Sequence, residues 1–184
     1  MKPTPASLYT VIACASSLLH FGPAAAQDKM SSPLDQLSAF LGEGTCTATI
    51  MAMGKSPQKV TSGKLHGEKT LGDQWIFVRF DEAMGSSSPK PYHVIQYFGY
   101  DRKAGHLVDV VLDNSGESYG AGSSSSGWQG DTITFENTDF TSGSHALFRD
   151  VFTRRGANMI SHAGYERDKS GKWIKTDEET CNKM

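Results

Sequence analysis

The sequence has little cysteine, little net charge and no hydrophobic run long enough to span a bilayer. Its 184 residues hold three cysteines, and 18 lysines and arginines against 20 aspartates and glutamates leave a formal net charge of −2. A chain this close to neutral carries no strong field to recruit nucleic acid or an anionic membrane surface. C-x-x-C, H-x-H and H-E-x-x-H spacings are missing, which removes the common sequence-encoded metal sites. Ser142-Gly143-Ser144-His145 does not carry the G-x-S-x-G elbow of a serine hydrolase. No helix-length periodic segments separate the strand-like runs, so an alternating parallel α/β sheet is excluded.

What is present begins with a leader. Lys2 is followed by an uncharged, apolar stretch from Leu8 to Phe21, the break Gly22-Pro23, and Ala24-Ala25-Ala26 at the positions a signal peptidase reads. This pattern predicts a signal peptide over residues 1–26, a mature chain starting at Gln27, and a periplasmic or secreted destination. A spanning helix needs about 20 apolar residues. This run is shorter and interrupted by Ser16, Ser17 and His20, so no transmembrane segment is expected after processing. Val11-Ile12-Ala13-Cys14 also fits a lipoprotein box, but the apolar run continues past Cys14 to the alanines, which favours cleavage over lipidation. Residues 27–184 have the length of a single domain with one core.

Ser32-Pro33-Leu34-Asp35 reads as a helix start, with Ser32 as cap, Pro33 in the first position and Asp35 three residues after the cap. Leu34, Leu37, Phe40 and Leu41 share a helical face, and Gly42 and Gly44 end the segment. From Thr45 the period becomes two. Strands are predicted over 45–50, 60–70, 75–80, 92–100, 106–112, 117–122, 132–136, 146–154, 159–166 and 172–178, with 123–126 as a loop. Turn signals recur about every 8–15 residues, the spacing of an all-β sandwich or barrel. Strands 75–80 and 146–152 are apolar on both faces, so their second face needs cover from the helix, a loop or another subunit, which keeps a homodimer open.

The opening Leu37-x-x-Phe40-Leu41-Gly42-x-Gly44-Thr45, the turn Gly99-Tyr100-Asp101 and the late acidic stretch Glu178-Glu179-Thr180-Cys181 resemble a bacterial family known as domain of unknown function 1579. Thr45 stands where that family usually has Trp. The resemblance implies a lipocalin-like, up-and-down antiparallel β-barrel of about ten strands with one short N-terminal helix. It implies no reaction. Similar barrels include fatty-acid carriers and haem-binding nitrobindins, but fold does not carry function with it.

With Cys14 in the leader, Cys46 and Cys181 remain, and two cysteines in an exported chain are expected to form a disulfide. They lie near the first and last strands, which an up-and-down barrel places side by side. His66, His93, His106, His145 and His162 are dispersed along the chain. If a haem were bound, the late-strand histidines His145 and His162 would be its candidate ligands, by analogy with nitrobindins. No catalytic residue, metal site or required cofactor is assigned: Asp81-Glu82 and Asp109 with Asp113 read as solvated carboxylates, and Ser142-Gly143-Ser144-His145 lacks the context of a nucleophile. Trp75, Phe77, Tyr97, Phe148, Phe152 and Trp173 are the candidates to line an internal pocket for a small apolar ligand. The reading is non-enzymatic binding of such a ligand, against a haem- or metal-binding barrel and a structural or interaction module.

Overall fold

A helix at the start of the described chain caps one end of a closed sheet. The computed structural model describes residues 32–52, 54, 57–84, 90–114, 119–140 and 145–184. The predicted signal peptide and Cys14 lie outside the described residues. The helix spans Pro33–Phe40 as two consecutive 3-10 stretches kinked at Leu37. Its capping box is reciprocal: Ser32 Oγ accepts from the Leu34 amide at 3.3 Å, and Asp35 Oδ2 accepts from the Ser32 amide at 2.8 Å. Leu34, Leu37 and Phe40 are buried, the apolar face that the sequence predicts. Asp35 pairs with Lys69 at 2.9 Å, which ties the helix to the neighbouring strand.

Eleven strands follow: β1 Gly42–Ile50, β2 Lys59–Thr70, β3 Trp75–Glu82, β4 His93–Asp101, β5 His106–Asp113, β6 Tyr119–Ser124, β7 Trp128–Gln129, β8 Thr132–Asp139, β9 Ala146–Arg154, β10 Met159–Arg167 and β11 Trp173–Lys183. Each pairs antiparallel with its neighbour. The pairing of β6 with β8 and of β1 with β11 closes a barrel of ten strands, and the two-residue β7 lies on the end of β8. Several predicted boundaries move: β1 starts at Gly42, β3 runs on to Glu82 and β8 to Asp139. The last strand runs on to Lys183, because the polar Thr180–Lys183 stretch pairs with β1 as far as Gly44. β6 extends into the serine run as far as Ser124, which is buried and pairs with Leu107.

Cys46 and Cys181 face each other across the β1–β11 seam and form the disulfide. Both are 3% exposed. The core sits at the helix end. Phe40 packs on Phe98 at 4.7 Å and on Phe152 at 4.9 Å, and Phe98 packs on Phe135 at 5.2 Å.

The close seat of the helix depends on a glycine in β2. A Cβ on Gly67 would lie 1.8 Å from the Phe40 carbonyl oxygen. Neither backbone can give way cheaply, so Gly67→Ala is expected to lift the helix end and lose about 2 kcal/mol. Chemical denaturation of the variant checks this; unchanged stability would mean that the helix is not held there.

The two doubly apolar strands are now resolved. In β3 the inward residues are Ile76, Val78, Phe80 and Glu82, all buried. The outward Phe77 packs on Tyr97 of β4 at 5.3 Å, and the Trp75 ring lies over Gly99, where a Cβ would come within 2.7 Å of it. Outer cover for β3 therefore comes from the adjoining strand. In β9 the inward residues are Phe148, Asp150 and Phe152. The Gly99-Tyr100-Asp101 motif works at the next turn, where Asp101 Oδ1 accepts from the amides of Lys103 and Ala104 at 2.8 and 2.9 Å. Thr45 is exposed on β1.

Candidate functional site: the barrel cavity

Above the phenylalanine core lies a cavity of about 460 Å³. Phe40 and Phe152 line it on the helix side, and Leu65, Val78, Phe80 and Val94 are among its apolar walls. Tyr92 and Asp113 line it near the opposite end, where the β3–β4 and β5–β6 connections lie. A volume of this size is in the range that takes a small organic molecule.

One wall is polar, and His162 of β10 is its centre. His162 lies in register with Phe152 on one side and Glu179 on the other. Its Nε2 is 2.9 Å from Asp150 Oδ1 and its Nδ1 is 3.3 Å from Asp177 Oδ1. Burial alone would depress the imidazole pKa, but the hydrogen bonds to Asp150 and Asp177 outweigh it and hold the pKa well above the ordinary value. The ring is therefore an imidazolium at neutral pH, donating from both nitrogens. For Asp177 burial works upward, and the bond from His162 overcomes it and lowers the pKa.

The network continues across the barrel. Asn137 Nδ2 donates to Asp150 Oδ2 at 2.5 Å and to Asp109 Oδ2 at 3.2 Å, and Gln96 Nε2 donates to Asp109 Oδ2 at 2.7 Å. Burial, followed by repulsion from Asp150, pushes Asp109 up to about 7. Glu179 is also pushed up to about 7, by burial first and then by Asp177, against an opposing pull from His162. Two strand glycines make room for these groups. A Cβ on Gly164 would lie 2.3 Å from Asp177 Oδ2, and one on Gly122 would lie 1.6 Å from Asn137 Oδ1.

The sequence-predicted site residues divide. Phe148, Phe152 and His162 line the cavity. Trp75, Phe77, Tyr97 and Trp173 do not: the first three pack on the outer face of β3 and β4, and Trp173 lies under the Arg149 guanidinium at 4.2 Å. His145 is exposed and stacks edge-on against Phe140 at 5.6 Å. His66 and His93 pair with Glu43 and Asp81, away from the cavity. The dispersed histidines thus do not converge, and both ring nitrogens of His162 lie against carboxylates, Asp150 at 2.9 Å and Asp177 at 3.3 Å. One oxygen of Glu179 and the sulfurs of Cys46 and Cys181 lie within 4.8 Å of one another, but the sulfurs are joined and present no thiolate. Sequence reasoning missed Gln96, Asn137, Asp150, Asp177 and Glu179 as cavity residues.

Residues 30–183 match a family described as protein of unknown function (DUF1579). The chain belongs to this family. No curated protein matches it. The crystal structure of Rv2717c from M. tuberculosis is similar, with a TM-score of 0.65 and 13% identity over 83% of this chain and 98% of that one. That likeness shows a shared fold. A redesigned β-barrel, b11L5F_LGL, aligns with a TM-score of 0.44 and 12% identity over 84% of this chain and 99% of that one. In this member of the DUF1579 family the opening motif is the helix and its junction with β1, and the late acidic stretch supplies Glu179 to the cavity.

Proposed function

We propose that the protein is an exported carrier or sensor that binds a small, mainly apolar molecule inside its barrel and does no chemistry on it. The carrying observation is the cavity of about 460 Å³, walled largely by aliphatic and phenylalanine side chains. The buried disulfide supports an oxidising compartment, and with it removal of residues 1–26. Among the described residues no helix is long and apolar enough to cross a membrane. The polar wall supplies no nucleophile with a free base: the Ser161 hydroxyl lies 3.5 Å from the Thr153 carbonyl, and His162 is already protonated.

The test uses the neutral apolar dye N-phenylnaphthylamine. The protein is expected to bind it saturably, with a blue-shifted emission. Val111→Trp, which fills part of the cavity, is expected to weaken binding about tenfold or more, equivalent to about 1.4 kcal/mol. Absence of saturable binding by the folded wild type would sink the proposal.

A further inference from the structure

The reading above leaves open the charge and the length of the ligand, and the cavity wall constrains both. Its polar side chains are spent on one another. Tyr92 donates to Asp113, Gln96 to Asp109, Asn137 to Asp109 and Asp150, Thr176 to Asp177, and His162 to Asp150 and Asp177. Asp113 and Asp139 have further partners within the protein. No lysine or arginine lines the cavity among the described residues. The acceptors left over, Asp109 Oδ1, Asn137 Oδ1 and Glu179 Oε1, are closed off from solvent, so a molecule in the cavity does not reach them.

An anion would therefore meet carboxylates and no unengaged cation. An ammonium has three N–H groups to satisfy, and would have to take its acceptors from His162, Asn137 or Thr176. A charge buried without partners costs far more than a neutral group of the same size. An uncharged body meets no such cost and buries its surface against Phe40, Leu65, Val78, Phe80, Val94 and Phe152. Length is set by the strands. The lining runs from Phe148 to Phe152 on β9 and from Ile160 to Gly164 on β10. At about 3.3 Å per residue that is about 13 Å along the strand. Below it Phe40, packed on Phe98, closes the helix side. An extended chain advances about 1.2 Å per bond, so about ten carbons fill the length.

We infer that the ligand is uncharged and compact, reaching no further than about ten carbons when extended. This rests on the cavity-binding reading and narrows it to one ligand class, excluding ionised amphiphiles such as fatty acids and alkylamines, and long-chain lipids.

Competition against bound N-phenylnaphthylamine at neutral pH tests it. The probes are hexanol, octanol, decanol, dodecanol and tetradecanol, with decylamine and decanoic acid as the ionised counterparts of decanol. Decanol is expected to displace the dye at about tenfold lower concentration than either ionised probe. Along the alcohols, competition is expected to strengthen about fourfold per methylene as far as decanol, because each added group is buried, and then to level off. Decylamine or decanoic acid competing as well as decanol overturns the inference, and so does a gain that continues undiminished to tetradecanol. Both outcomes leave the cavity reading standing. A wild-type protein that takes up no dye ends both readings.

Discussion

Reduction of the Cys46–Cys181 bond is expected to lower the unfolding free energy by about 4 kcal/mol, and the melting temperature by about 10 °C. The bond joins residues separated by 135 positions, so it closes nearly the whole described chain into one loop. A long loop is where a cross-link removes most freedom from the unfolded ensemble. Its location adds a second effect. The β1–β11 pair is the seam made by the first and last strands, and all of its contacts have the longest sequence separation in the barrel. Without the bond, opening the seam would expose two strand edges, which are prone to pair with other chains. Thermal melts followed by circular dichroism, with and without reductant, give the measurement. The double variant Cys46→Ala/Cys181→Ala should melt low in both conditions. A wild type that melts identically in both would show that the seam is held by strand pairing alone.

Much of this fold is legible in the sequence, and the reasons are local. Ser32 and Asp35 can bond each other's backbone only at a helix start, so the cap is written in a few residues. The positions of Leu34, Leu37 and Phe40 define one face, and a face that apolar must be covered. Cys46 and Cys181 become neighbours once a barrel is assumed, because closure leaves the terminal strands no other partner. The inward face of β3 is not legible in the same way. Trp75 and Phe77 are as apolar as Ile76 and Val78, and what separates them is the neighbouring strand. Gly99 opens a seat for Trp75, and Tyr97 supplies a partner for Phe77.

The cavity wall escaped for a related reason. Asp150, Asp177 and Glu179 look like ordinary strand carboxylates, since polar groups usually face water. The available signal is parity. Asp150 sits between Phe148 and Phe152 at a spacing of two, which puts a charge on a face already assigned to the interior. Asn137 stands in the same relation to Phe135 and Ile133, both fully buried. The strand glycines Gly122 and Gly164 are a second signal, because each yields space to a polar side chain across the sheet.

His162→Leu is expected to destabilise the protein by about 3 kcal/mol near neutral pH, because it strips the cation from between two carboxylates and leaves their charges facing each other. The groups are not fully buried: the side chains of His162, Asp150 and Asp177 are 20%, 19% and 36% exposed, so the loss falls at the low end for an interior pair. The pH dependence separates charge from packing. In the wild type, the raised pKa of His162 contributes stability that is complete below the ordinary histidine value and is lost as pH rises through the raised native value. The lowered pKa of Asp177 contributes stability above the ordinary carboxylate value and is lost as pH falls through the lowered native value. The clamp is therefore intact between those limits, a window that includes neutral pH. In His162→Leu no cation remains to hold Asp177 ionised, so it binds a proton more readily and its repulsion with Asp150 is relieved on acidification. The gap in unfolding free energy between wild type and variant should be widest near pH 7 and shrink toward about pH 4–5. Urea titrations at several pH values measure that gap. A gap that stays constant across the range would reduce His162 to a packing residue, and the charged clamp would have no part in holding the wall together.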